Sequence, residues 1–185
     1  GVSNMDVSIP FYQNGFGLTK IVYDVTGTFD DLGDEAKNKT FRRALLAFHN
    51  PFTAPFSRLL GDVQIELIQA MDGNASKIYE NRYWGDIGFI HLCFDVSDMN
   101  ALKANLEKNN YLFTVDSGDT FDMGESGGRF AYVEDPDGTL IEMVETHKVP
   151  INKKLGMYIN LKKRKSQKPL PNWLVGLMGL NKVKD

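Results

Sequence analysis

The 185-residue sequence predicts an α+β protein built on an internal duplication. Two repeats and one pattern carry that prediction. Val2-Ser3-Asn4-Met5-Asp6 returns as Val96-Ser97-Asp98-Met99-Asn100, and Ile65-Glu66-Leu67 returns as Ile141-Glu142-Met143. In each half a helical signal follows the first repeat, and stretches of two-residue alternation lead to the second.

In the first half, residues 6–14 read as a short helix with Ser8 near its start, so that Pro10 falls in the first turn, where proline is tolerated. Gly15-Phe16-Gly17 then leads into a strand over 18–24, and further strands are expected over 41–49 and 63–69. Residues 71–84 form a linker that carries Asp72-Gly73-Asn74-Ala75-Ser76 and ends in Arg82-Tyr83-Trp84. Arg82 could meet an anionic substrate group, although an aromatic pair packed on the surface is the plainer reading.

The second half opens on a strand over 88–96, in which alternation puts His91 and Cys93 on one face and Leu92 and Phe94 on the other. Asp98 can cap a helix with Leu102 and Leu106 in one stripe. A strand over 111–115, a flexible loop over 124–128 and a strand over 129–134 follow. Asp135-Pro136-Asp137-Gly138 is a tight turn, and turn chemistry explains its two aspartates better than metal binding does. The closing strand, 139–145, places Glu142 on one face with Leu140 and Val144, and Glu66 holds the matching position in the first half. A histidine or carboxylate buried on such a strand is costly unless it is paired or bound to something.

These passages resemble the vicinal oxygen chelate superfamily, which includes glyoxalase I, methylmalonyl-CoA epimerase, extradiol dioxygenases and the fosfomycin and bleomycin resistance proteins. The resemblance covers residues 1–147 and rests most on residues 87–96 and on 130–142, which run through the Asp135–Gly138 turn into Glu142. It implies two tandem βαβββ modules forming a half-open barrel, the first over about 1–70 and the second over about 87–147, with residues 148–185 as a basic C-terminal extension. It also implies a divalent metal ion held by Glu66, His91 and Glu142. The fourth ligand of the family pattern would fall upstream of Gly1, or water would complete the set.

The donor types agree with that implication. One neutral imidazole and two carboxylates suit Zn, Ni, Mn, Co or Fe, and an open coordination position lets a substrate oxygen be polarised. Glu66 or Glu142 would act as the base. The resemblance therefore points to a metal-dependent lyase or isomerase of the glyoxalase type, acting on a small oxygen-chelating substrate through an enediolate-like intermediate. Two other readings stand beside it: a metal-free binding protein that sequesters a small molecule, as bleomycin-resistance proteins do, and an extradiol-type dioxygenase. Of the remaining histidines, His49 precedes a turn signal and His147 begins the tail, so both read as loop residues. Cys93 reads as a small buried apolar residue near the site.

No apolar run is long enough to span a bilayer and no signal-peptide pattern is present, which with a single cysteine predicts a cytoplasmic protein without an intramolecular disulfide. The expected partners are a small-molecule substrate and a second copy in a homodimer, with neither nucleic acid nor membrane. Residues 151–185 carry nine Lys or Arg and one acid, a charge of +8, and the remainder of the −3 chain carries −11, so the tail should lie across the acidic body of its own chain or a partner. Within the tail, Met157, Ile159 and Leu161 alternate as in a short strand, and 172–178 suits an apolar helix. Lys162-Lys163-Arg164-Lys165 is too short a run to predict more than a solvated face. The first half is also longer than the second by 18 positions between the repeats, with the surplus placed around 30–40 and 50–61, where it could form a pocket wall or a surface hairpin.

Overall fold

The computed structural model describes residues 1–50, 53–78, 80–119, 121–123, 126–152, 155–164 and 168–179. Helix α1 spans Met5–Pro10, capped by the Asn4 side chain, which accepts from the Asp6 N–H. Pro10 therefore ends the helix instead of opening it as expected. Lacking an N–H, it cannot donate back to the preceding turn, and the chain continues as a wider π-helical turn over Phe11–Gly15.

Three antiparallel strands follow, β1 Lys20–Gly27, β2 Phe41–Ala47 and β3 Gln64–Ala70, in the order β1-β2-β3. The surplus of the first half holds two short 3-10 turns, at Asp30–Leu32 and Asp34–Ala36, and helix α2, Ser57–Leu60. Pro51 and Phe52 of that surplus lie outside the described residues.

The second sheet is built from β4 His91–Asp95, β5 Phe113–Asp116, β6 Phe121–Met123, β7 Ser126–Glu134, β8 Leu140–Asn152 and β9 Met157–Asn160, with helix α3, Met99–Lys108, between β4 and β5. Its main path is β4-β8-β7-β5, with β4 and β8 parallel and the other pairs antiparallel. Asp98 caps α3 as expected, its carboxylate accepting from the Ala101 N–H at 2.9 Å. Of the expected flexible loop, Ser126, Gly127 and Gly128 belong to β7 and pair with β6, while Gly124 and Glu125 lie outside the described residues. Strand β8 runs seven residues past the expected end, because β9 folds back and pairs with its second half.

One backbone bond marks the internal repeat in three dimensions. Val2 donates to the Ile68 carbonyl at 2.9 Å, and Val96 donates to the Val144 carbonyl at 2.9 Å. Glu66 and Glu142, each two residues before its acceptor, thus occupy corresponding places in the two sheets.

Both halves contribute to one core, in which Met5, Phe11, Leu46 and Leu67 pack with Leu106, Ile141 and Met143. Polar links close the seam: Tyr12 donates from its hydroxyl to Asp135 at 3.1 Å, and Asn105 caps the Asn14 carbonyl at 2.6 Å. A second, smaller core joins the tail to the first half, as Leu161, Leu170 and helix α4, Asn172–Met178, pack around Phe56. The Leu170 N–H donates to the Pro55 carbonyl at 2.9 Å. The long segment between β2 and β3 and the tail therefore cover one another.

Gly128 sits at a register irregularity of the β7–β8 pair, where a Cβ would lie 2.6 Å from the Glu145 carbonyl oxygen. At Gly127 the nearest atom would be 4.0 Å away. Gly128→Ala should lower stability by about 1–3 kcal/mol, since strand backbone has to move, and Gly127→Ala should cost clearly less. Urea unfolding of the two variants side by side checks this, and equal midpoints would refute it.

Candidate functional site

Parallel pairing of β4 with β8 sets Cys93 beside Glu142, and antiparallel pairing of β8 with β7 sets Tyr132 on the other side of Glu142. Since neighbouring strands share a pleat, all three side chains stand on one face, together with His91. The His91 Nε2 lies 3.0 Å from the Glu142 Oε2. The Tyr132 hydroxyl and the Cys93 thiol also donate to this carboxylate. Burial, reinforced by the adjacent carboxylate, pushes both donors up to about 12, so each keeps its proton at neutral pH. Cys93 is exposed as a residue, which corrects its reading as a buried apolar group, although its sulfur is shielded against Glu142.

Trp84, from the linker, closes one side. Its ring centroid is 6.1 Å from that of His91 and 5.8 Å from that of Tyr132, and the His91 and Tyr132 rings meet edge to face at 5.7 Å. A cavity of about 280 Å³, lined by Phe121, Phe130, Tyr132, Glu142 and Val144, opens on this face. A second of about 370 Å³ lies on the far side of Trp84, with Lys77 and Arg82 at its wall. Arg82 itself is paired with Asp86 at 2.7 Å.

Glu66 has different company. Tyr23, Leu45 and Glu66 stand in one row across β1, β2 and β3. The Tyr23 hydroxyl donates to the Glu66 Oε1 at 2.5 Å, and the Arg43 Nε donates to the same oxygen at 2.6 Å. Arg43 also reaches Asp31 at 2.8 Å and lies over the Phe29 ring. The guanidinium holds the Glu66 carboxyl below the usual carboxylate range.

His91 and Glu142 are therefore brought together, while Glu66 is held in the other sheet. Among the described residues, the group that gathers three potential metal ligands is a different one, Asp119, Glu145 and His147. His147 is a half-buried residue of β8, not the loop residue expected, because the strand continues past it. Asp135 serves the turn, accepting from the Asp137 and Thr139 N–H groups at 2.9 and 2.8 Å.

Two observations bear on whether a metal ion fits. First, two ligands with bonds of about 2.1 Å to one ion have donor atoms roughly 3 Å apart, which is the His91–Glu142 spacing. Second, the His91 Nδ1 is buried with no partner among the described residues, a cost of about 1–3 kcal/mol that an ion on Nε2 would leave in place. The His91–Glu142 pair fits an ion. Glu66, with Arg43 on one oxygen, offers its other oxygen.

Sequence reading missed Tyr132, Arg43 and Tyr23; it placed Trp84 on the surface, where the residue is 62% exposed, but not beside His91. Alternation along 129–134 would have put Tyr132 on one face of its strand, but its position opposite Glu142 depends on register between distant strands. Arg43 carried no signal beyond its charge.

Burial, and then the charge of Glu145, push the Asp95 carboxyl up to about 6. Unfolded aspartate titrates near 3.9, so the folded chain binds the extra proton, and stability falls as pH rises from about 4 through 6. Asp95→Asn should gain roughly 1–3 kcal/mol at pH 7.5, allowing for partial exposure, and little at pH 4. Thermal melts of both proteins across that range test the sign, and a gain of the same size at both ends would contradict it.

The profile of the Glyoxalase/Bleomycin resistance protein/Dioxygenase superfamily matches residues 1–132. Comparison with curated proteins finds no match. Among solved structures, a glyoxalase family protein from Bacillus cereus superposes with a TM-score of 0.56 at 17% identity, covering 78% of this chain and 88% of its own. The fosfomycin resistance protein FosX from Listeria monocytogenes aligns at 14% identity and TM-score 0.47 over 78% of this chain and 85% of its own. The trypanothione-dependent glyoxalase I of Leishmania major aligns at 19% and 0.47 over 78% and 80%. At such identities the likeness is one of fold, a mixed α+β architecture with antiparallel and mixed sheets. On the profile match over most of its length, the chain belongs to the Glyoxalase/Bleomycin resistance protein/Dioxygenase superfamily, that is, to the vicinal oxygen chelate proteins.

Proposed function

We propose that the chain is a metal-dependent lyase or isomerase of the glyoxalase type, acting in the cytoplasm on a small substrate with a chelating oxygen pair. The observation that carries this reading is the convergence of His91 and Glu142 at 3.0 Å on an open sheet face. The two sheets are paired βαβββ modules of a half-open barrel in this reading. His91 and Glu142 hold a divalent ion of the Zn, Ni, Mn, Co or Fe class, and Glu66 of a second copy completes the set in a homodimer. The sharing of the site between copies is supported by the placement of Glu66 in the other sheet and by apolar side chains left about half exposed on both site-bearing faces, Val25 at 45% and Val115 at 48%.

The ion would supply Lewis-acid polarisation of a substrate oxygen. The protein residues then have separate tasks. Glu142 takes up the proton lost beside that oxygen, because Arg43 depresses the Glu66 carboxyl and makes Glu66 the poorer acceptor at neutral pH. Tyr132, protonated at neutral pH, steadies Glu142 by a hydrogen bond. Trp84 limits access of water from the linker side.

A second reading, metal-free sequestration of a small molecule, draws on one observation: the guanidinium of Arg43 already neutralises Glu66. Elemental analysis of protein purified without chelators separates the two. The enzyme reading expects a transition metal near one equivalent per site, its loss in His91→Ala or Glu142→Ala, and turnover of an enolisable carbonyl or thioester that disappears with it. No metal uptake after incubation with Zn, Ni, Mn, Co and Fe salts would sink it. Mixing Glu66→Ala chains with His91→Ala chains should restore metal binding at one site of each mixed dimer, and failure to do so would remove the shared-site part.

A further inference from the structure

Strand β8 carries an inward stripe at every second residue, and two members break its character. Ile141 and Met143 are fully buried and Val149 is 6% exposed, yet the positions between them are Glu145 and His147, with side chains 13% and 12% exposed. Charged and polar groups in a core-facing stripe are costly unless they are satisfied together. Glu145 alternates to the face opposite Glu142, and the cavity lined by Glu145 and His147 shares no lining residue with the one lined by Glu142 and Tyr132, so this cluster is separate from the site already described.

The His147 Nε2 lies 2.9 Å from the Glu145 Oε2. Asp119, in the turn ahead of β6, supplies a third donor, and one ligand atom from each residue lies within 4.8 Å of the other two. Asp119 is half exposed, so the cluster is shielded on two sides and reachable from water on the third. A cavity of about 20 Å³, lined by Glu145, His147, Asp95, Ser97 and Lys162 but not by Asp119, adjoins it. That is room for a single water or ion. Two cations border the cluster. Arg129 lies 3.7 Å from Asp119, although it is engaged more closely by both oxygens of Asp116 at 2.7 and 2.8 Å.

The nearer cation comes from the tail. Lys162 places its ammonium 2.8 Å from the Asp119 Oδ2. Its neighbour Leu161 is anchored by a backbone bond to the His147 carbonyl at 2.7 Å and by burial in the small core. Lys162 can therefore swing its side chain away without unseating the segment. We propose that Asp119, Glu145 and His147 form a second divalent-cation site, for a transition ion of the Zn²⁺ class, which Lys162 fills as a counter-ion when no metal is bound. One imidazole nitrogen with two carboxylates is a donor set such ions accept. Binding would tie the turn before β6 to β8 and exchange the Lys162 contact for a metal bond.

The test uses the full chain carrying His91→Ala and Glu142→Ala, so that the site on the other face cannot contribute. Titration with Zn²⁺ by calorimetry, and with Co²⁺ by its visible absorption, should show one saturable equivalent. Adding His147→Ala or Asp119→Asn should weaken it by about tenfold or more, with circular dichroism showing the fold intact. Lys162→Met should tighten it, because the competing ammonium is gone. No saturable binding in the double variant, or an affinity unchanged by both His147→Ala and Asp119→Asn, would overturn the proposal and leave the cluster as an ion-pair latch for the tail. Either result is independent of whether His91 and Glu142 bind metal.

Discussion

The carboxylate of Glu142 is the constraint on which the candidate site depends. It receives His91 from one neighbouring strand and Tyr132 from the other, with Cys93 donating alongside. A half-buried carboxylate tolerates that position only because several donors satisfy it. The donors in turn are fixed by two different pairings, parallel on the β4 side and antiparallel on the β7 side. A one-residue slip in either would carry a partner to the opposite face. The core side of the same strands, Phe94, Ala131, Ile141 and Met143, is what prevents that slip. Packing on one face thus sets the chemistry on the other.

The repeated backbone bond, Val2 to Ile68 and Val96 to Val144, shows how one geometry has been turned to two uses. In the second sheet the central glutamate faces a histidine, a neutral tyrosine and a thiol. In the first, the corresponding glutamate is bound to a guanidinium and a tyrosine. The Glu142 arrangement surrounds a carboxylate with donors, Tyr132 and Cys93, that keep their protons at neutral pH. The Glu66 arrangement locks a carboxylate in its ionised form. Identical placement therefore does not mean identical role, and Glu66 is better suited to fixed charge than to proton transfer.

Features written in local chemistry were legible in the sequence. The Asp98 cap, the Asp135–Gly138 turn and helix α4 each follow from a few adjacent residues, and the similar pentapeptides at 2–6 and 96–100 begin at the two valines that make corresponding backbone bonds. The pairing of the two glutamates by offset was readable for the same reason. What was not readable depended on contacts between distant segments. Tyr132 meets Glu142 only through cross-strand register, Trp84 meets His91 only because the linker folds back, and Arg43 meets Glu66 across neighbouring strands. Pro10 misled because its usual place in a first turn is a local preference, which the Asn4 cap and the buried Met5, Ile9 and Phe11 override. The length of β8 misled because its second half exists only when β9 pairs with it.

That extended half of β8 is also where the tail stops being an appendage. The charge asymmetry of the sequence required the basic segment to find acid, and Lys162 finds Asp119. Charge alone would give an exposed pair worth little in solution. The anchoring comes from Leu161 and Leu170, which are 4% and 1% exposed, and from Phe56 of the long insertion in the first half. Burial of two leucines outweighs a screened surface ion pair by several-fold. The apolar contacts therefore hold the segment in place, and the position of the tail does not depend on the Lys162–Asp119 pair.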